Sequence, residues 1–391
     1  MIRVISKIRA LPRRIRYFLR LPLVALTVIF TEGWAGFRTE FKNWSHRLAS
    51  GQLRYEIAPQ IRAKTIAHNS AIFGEKVDYI PKIVGMLENG HQPIDLDEKG
   101  SLEVVVPIHN AYDDLLRCLY SLFNHQDIYR VILLDDCSTD TRVKGLVRTL
   151  KEHEQERFRI EANPQNLGYL MTANKGLRMA KNDVILLNSD TVVTPGWARK
   201  MRACAHSDDR IATVTPFTNN GRMCSIPEFL ENNEIPEGFT VDSFADCVED
   251  ASSNRYPELV TAVGFCMYIR RSVIDEIGYF DEVDFGTGYG EEVDFSFRAA
   301  YRGYKNVLCD NTFVFHRGSA SFLDAQDAAV RKHNKVLKKR YPELWAAVVR
   351  FERSNPLSSL HDKLKTKMRD STQLGLRATK IRTKCVIERS L

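Results

Sequence analysis

Between Leu102 and Asn188 the chain alternates short, uninterrupted apolar runs with longer amphipathic stretches, and few architectures accept that pattern. Leu102 to Ile108, Arg130 to Asp135, Phe158 to Ile160 and Asp183 to Asn188 are rich in Val, Ile and Leu without polar alternation, which predicts strands covered on both faces. Asp113 to Asn124 puts Leu115, Leu116, Leu119, Leu122 and Phe123 on one broad apolar face, and Thr141 to Glu156 and Tyr169 to Ala180 also read as helices. Strands of this kind separated by helices predict an α/β domain with a mainly parallel central sheet and helices on both faces.

The alternation weakens beyond residue 205. Ile211 to Val214 and Phe265 to Ile269 read as strands, Asn306 to His316 as one or two strands, Ser272 to Ile277 and Glu291 to Tyr301 as helices, and Asp324 to Val349 as helix. The expected organisation is a basic amphipathic N-terminal extension over 1–50, a connector or accessory helical region over 51–100 with a helix near Val77 to Leu87, the main domain over 101–323, and a helical, basic C-terminal extension over 324–391.

The formal charge of +7 comes from the ends: residues 1–50 hold ten basic and two acidic side chains, residues 351–391 ten basic and four acidic, and the stretch between them is net acidic. An acidic body does not suit an enzyme whose groove follows a nucleic acid, so no specific nucleic-acid partner is expected. Basic ends beside apolar residues suit an anionic membrane surface better. Ile5, Ile8, Leu11, Ile15, Phe18 and Leu19 recur at helical spacing among arginines, and the apolar run from Leu21 to Phe30 is half the length of a spanning helix. An interfacial helix, a helix packed on the body, and a signal or anchor are the three readings of this segment. The eight cysteines form no CxxC pair and several sit in apolar segments, which predicts reduced core thiols and a cytoplasmic protein, and the basic ends predict a peripheral place at the inner face of the cell membrane.

In a sheet of this kind ligands collect at the carboxyl ends of the strands, and polar residues fall there: His109 and Asn110, then Asp135, Asp136, Ser138 and Asp140, then Ser189 and Asp190. Asp190, at the end of an apolar strand, is a ligand for Mg²⁺ or Mn²⁺, a cap for the helix that begins near Pro195, or the closing residue of a turn. Asp135 and Asp136 can accept from a pyrimidine N3–H, while Ser138, Thr139 or Asp140 can cap the following helix. Glu291, Glu292 and Asp294 follow the glycine-rich stretch Phe285 to Gly290 and offer either a general base or acids favoured by a helix dipole. His316 ends an apolar strand beside Arg317 as a metal ligand or a structural histidine. Asn166, Leu167 and Gly168, followed by Asn174, Lys175 and Gly176, suit a turn into a helix that approaches the sheet closely.

Taken in order, Val104 to Asn110, Leu134 to Asp140, Asn166 to Gly168 with Asn174 to Gly176, Leu187 to Asp190, Gly278 to Glu282, Gly288 to Phe295 and His316 to Ser319 resemble the family 2 glycosyltransferases of GT-A fold that build bacterial surface polysaccharides. The resemblance covers about 101–320. It implies an inverting, metal-dependent transfer from a nucleotide diphosphate sugar, with UDP or dTDP favoured, to a saccharide or lipid-linked saccharide acceptor. It further implies donor contacts from Pro107, His109, Asn110, Asp135, Asp136, Asn166, Gly168, Asn174 and Ser189, a Mn²⁺ or Mg²⁺ held by Asp190 and His316, and Glu292 as base with Glu291 and Asp294 beside it. Two departures stand out: Asn188 occupies the first position of the usual Asp-x-Asp, and Glu occupies both leading positions of the base motif. A sugar-phosphate nucleotidyltransferase is the rival enzyme, although no glycine-rich, lysine-bearing phosphate loop is present, and a catalytically silent membrane scaffold is the rival outside enzymes.

Overall fold

The apolar runs become strands where expected. After α1 (Tyr79–Glu88), β1 (Leu102–Ile108), β2 (Tyr129–Asp135), β3 (Phe158–Ala162) and β4 (Asp183–Leu187) alternate with α2 (Tyr112–Asn124), α3 (Thr141–Lys151) and α4 (Tyr169–Met179). There follow β5 (Thr191–Val192), α5 (Trp197–Ala205), β6 (Ile211–Phe217), α6 (Val241–Ala251), β7 (Glu258–Leu259), β8 (Cys266–Ile269), α7 (Arg271–Ile277), α8 (Glu282–Phe285), α9 (Glu291–Ala300), β9 (Lys305–Phe313), β10 (Phe315–His316), α10 (Leu323–Arg340), α11 (Leu344–Ser354) and a last helix, α12, over 358–371. This computed structural model describes residues 79–88, 102–125, 129–155, 157–286, 288–318 and 323–371. The readings for 1–50, for most of 51–100 and for the tail beyond 371 lie outside these residues. Among the described residues no helix is long and apolar enough to cross a membrane. The seven described cysteines are all unpaired, and all but Cys137 are buried.

The main sheet runs β3-β2-β1-β4-β8-β6-β9-β7. Pairs β1–β2, β1–β4, β2–β3 and β6–β9 are parallel, whereas β8 is antiparallel to both its neighbours and β7 to β9. Successive side chains of β1 and β2 serve opposite faces: Val104, Val106, Val131 and Leu133 join one core with α2, α3, α5 and α6, while Val105, Ile132 and Leu134 join a second with α4, α7 and α9. Helices therefore cover both faces, as the unbroken apolar strands require. Helix α4 lies so close that a Cβ on Gly176 would come within 2.2 Å of Val105 Cγ1.

Three elements differ from expectation. The helix read over Asp324 to Val349 is two, because Pro342 disfavours helical backbone at Tyr341 and α10 ends at Arg340. Helix α3 stops at Lys151, short of Glu156. Helix α6, unread in the sequence, is announced by a capping box in which Thr240 and Ser243 exchange side-chain and backbone bonds.

Strand direction positions the site. The carboxyl ends of β1, β2, β4, β6 and β9 and the amino end of the reversed β8 all fall at one edge of the sheet. There the chain folds β10 back against β5, pairing His316 with Thr191, the residue after Asp190.

Candidate active site

At the β1 and β2 ends, two loops lock each other. Asn110, in left-handed backbone at φ 58, accepts at Oδ1 from Thr139 N (2.8 Å) and Asp140 N (2.9 Å). Its own N–H donates to Ser138 Oγ at 2.9 Å. Asp135 is buried and accepts at Oδ1 from the backbone and hydroxyl of Ser138, at 3.1 and 2.5 Å. Asp140 caps α3 by accepting from Arg142 N at 2.9 Å. The His109 ring lies between Asp136 O (3.0 Å) and the Asn110 and Asn166 amides (3.1 and 3.4 Å). Left-handed backbone at Asn110, Ala111 and Cys137, none of them glycine, concentrates strain at this one edge.

Several residues expected to touch a donor are committed elsewhere. Asp136 spends Oδ1 on Leu167 N and Asn163 Nδ2 and Oδ2 on Gly168 N, so it holds the turn into α4. Asn166 braces the same turn by accepting from Gly168 N at 2.9 Å. Asn174 is fully buried, bonded to both backbone groups of Phe280 and to Glu282. Pro107 is buried within β1. Asp136 and Asn174 are buried with their polar atoms engaged and Pro107 is packed within the strand, whereas Asn166 braces the turn while exposed at the edge. Asp135, His109, Asn110, Gly168 and the half-buried Ser189 remain along the edge.

Asp190 and His316 meet, with Nε2 and Oδ1 3.5 Å apart. The His316 backbone is clamped by Asn219, which accepts from its N–H at 2.8 Å and donates to its carbonyl at 3.0 Å. Its ring stacks on Phe265 at 5.1 Å. Nδ1 faces the Asn220 carbonyl at 2.7 Å and donates to it, so Nε2 faces Asp190 as an N–H donor when the ring is protonated and as a lone pair when it is neutral. Burial works against the imidazolium, yet the Asp190 carboxylate and the Asn220 carbonyl together hold its pKa above the usual value.

This arrangement fits a divalent cation. Ligands about 2.1 Å from one ion stand roughly 3 to 3.5 Å apart when adjacent in its shell, and the carboxylate is the oxygen ligand that Mg²⁺ or Mn²⁺ takes. The Asn188 Oδ1, two residues before Asp190, is buried without a hydrogen-bond partner. Among the described residues no group of three or more His, Cys, Asp and Glu side chains forms a metal site, so phosphate and water oxygens would have to fill the remaining positions.

The third cluster opens α9. Glu291 is buried and its Oε2 has no partner, while Glu292 accepts from Gly290 N at 3.2 Å. Burial holds both carboxyls above the ordinary range, and for Glu291 the neighbouring Glu292 charge adds to it. Asp294 departs from the expectation that grouped it with them. It is fully buried, with Oδ2 on Arg298 (2.7 Å) and Oδ1 on Arg340 and Tyr341 (both 2.7 Å), and takes no proton from a ligand while so engaged.

Tyr169, which the sequence offered only as the start of a helix, joins the clusters. Its hydroxyl lies 3.5 Å from the Gly264 carbonyl and its pKa is raised by burial and then by the charges of Glu291, Glu292 and Asp190. Gly264 lies against the Glu292 stem, where a Cβ would be 3.9 Å from Cγ. The next residue, Phe265, carries His316. Phe265, Asn219, Asn220 and Arg340 had no legible signal beyond the Asn219-Asn220-Gly221 turn, because their roles arise from contacts between distant elements.

A mainly parallel sheet with helices on both faces, and acidic and imidazole side chains at its carboxyl edge, has the layout of the GT-A class of α/β domain anticipated above. Residues 103–278 match the model of Glycosyl transferase family 2, and this part of the chain is similar to that family. No curated protein matches the chain. Among solved structures, GalNAc-T7 with UDP, GalNAc and Mn²⁺ is 16% identical over 68% of this chain and 54% of its own, about half its length, at a TM-score of 0.45. The mannosyltransferase PcManGT from Pyrobaculum calidifontis, in complex with GDP-Man and Mn²⁺, is 15% identical over 82% of this chain and 91% of its own, also at 0.45.

Proposed function

We propose that the protein is an inverting glycosyltransferase that moves a sugar from a nucleoside diphosphate donor to an acceptor hydroxyl. The observation that carries this reading is the Asp190–His316 pair at the sheet edge, with Phe265 stacked on His316 and the preceding Gly264 lying against both the Glu292 stem and the Tyr169 hydroxyl. Glu292 accepts the acceptor's proton as the acceptor oxygen forms its bond to the anomeric carbon, and the bond from that carbon to the diphosphate oxygen breaks with its electron pair. One displacement inverts the configuration. A divalent cation held by Asp190 and His316 would offset the charge on the departing diphosphate.

Asp135, with Oδ1 on Ser138, would turn its other oxygen to the N3–H of uracil or thymine, favouring UDP or dTDP. A saccharide or lipid-linked saccharide acceptor of bacterial surface polysaccharide or glycolipid synthesis, and a peripheral position on an anionic membrane, complete the proposal on the strength of the motif order and the basic ends. The test is incubation of the full chain with nucleotide sugars, saccharide acceptors and Mn²⁺, with proton NMR of the product. Inverted anomeric configuration is expected. Retained configuration, or release of pyrophosphate from a nucleoside triphosphate and a sugar phosphate, would replace the reading.

A further inference from the structure

Helix α10 holds the segment that carries the two glutamates, and it does so along one stripe. His333, Leu337, Arg340 and Tyr341 follow one another at i, i+4, i+7 and i+8, the spacing of residues that share a helix face. The buried His333 donates from Nδ1 to the Tyr289 carbonyl at 2.9 Å, and its ring meets Phe285 at 5.4 Å. Leu337 packs against Gly290, where a Cβ would lie 3.2 Å from its Cδ1. Arg340 donates from Nη1 to Asp294 at 2.7 Å and from Nη2 to Asp281 at 2.8 Å, pairs with Asp284, and stacks over Phe285 at 5.6 Å. Tyr341 adds its hydroxyl to Asp294 at 2.7 Å.

One guanidinium thus draws together three carboxylates from both sides of the loop at 285–290. Just before α9 the backbone is left-handed at Gly288, Tyr289 and Gly290. Without the cation the three acids repel, and the first turn of α9 is left to the Arg298 and Tyr341 bonds to Asp294 and to the contacts of His333 and Leu337 on Tyr289 and Gly290. The side chains read as holding donor and metal, Asp135, Asp190 and His316, sit on other elements.

We propose that Arg340 is a positioning residue, fastening residues 281–294 to α10 and so fixing Glu291 and Glu292 against the acceptor. The inference rests on the reading of that pair as the base. A reacting group displaced by about 1 Å loses on the order of 100-fold in rate, so turnover should suffer while donor binding does not. The test compares wild type, Arg340→Met, Arg340→Lys and Glu292→Gln in the full chain. In Arg340→Met, hydrogen exchange over 285–295 should quicken while β1 and β4 stay protected. With the donor and acceptor that wild type uses, kcat should fall about 10- to 100-fold with donor KM within about twofold. Lys, a single point charge in place of a fork, should restore part of the loss. If Arg340→Met does not fold, Tyr341→Phe removes one bond to Asp294 and should show the same split in smaller measure. Unchanged exchange over 285–295 overturns the inference, as does full kcat in Arg340→Met beside an inactive Glu292→Gln. Loss spread equally over kcat, donor affinity and global protection also overturns it. A fully active Glu292→Gln overturns the base assignment itself.

Discussion

Glu291 and Glu292 are adjacent carboxyls with little water to share, and both function and stability should register that. Each is held above its unfolded value, so between the two values the native state binds more protons than the unfolded chain. Their contribution to stability is therefore fullest below the unfolded carboxylate pKa and is lost as pH rises through the folded one. A base must be ionised, so activity should move the opposite way. We expect transfer rates to rise with pH along a limb above the ordinary carboxylate range, checked by kcat/KM against pH, while the melting temperature falls over the same window. Glu291→Gln should melt a few degrees higher than wild type on the alkaline side and lose that advantage on the acid side. Glu292→Gln should lose about 10²- to 10⁴-fold in kcat with donor binding intact. Asp190→Asn should instead weaken donor binding in Mn²⁺, measured by titration calorimetry, and leave the donor's metal-free affinity unchanged.

At the scale of elements, close approach of α4 to β1 depends on a missing side chain. Gly176→Ala should cost about 1–3 kcal/mol from overpacking against Val105 and Leu134, offset by about 1 kcal/mol of helix propensity. Urea unfolding would show the balance, and an unchanged midpoint would mean the helix can shift outward freely. The elements of this half were legible because each is long, apolar and repeated: β1, β2 and β4 have no other way to satisfy their faces than burial. The later half was less so. β5, β7 and β10 are two residues each and exist only through their partners, and no periodicity can be read over two residues. The split between α10 and α11 was marked by Pro342 and was there to be read.

For the whole molecule, cation, nucleotide and sheet edge should behave as one ligand site. Donor with Mn²⁺ at about 100 times its dissociation constant should add about 2.7 kcal/mol of stability, a rise of several degrees in melting temperature. EDTA should remove the greater part of that rise, and a rise of equal size without metal would separate the donor from Asp190 and His316.

The sequence by itself determined the covered parallel sheet and which short segments end at its carboxyl edge, because apolar runs, helical periodicity and strand-end polarity are local properties. It also carried Asp190, His316, Glu291 and Glu292 as types suited to the chemistry. Only the tertiary structure decided which of the candidates share a site and which are spent on the fold. Asp136 and Asn174 look like ligand contacts in one dimension, yet the backbone amides and the Phe280 turn claim them in three. Asp294 sits within three residues of the proposed base and is consumed by arginines 298 and 340 and Tyr341. A carboxylate's role depends on what surrounds it within a few ångströms, and that neighbourhood comes from residues far away along the chain.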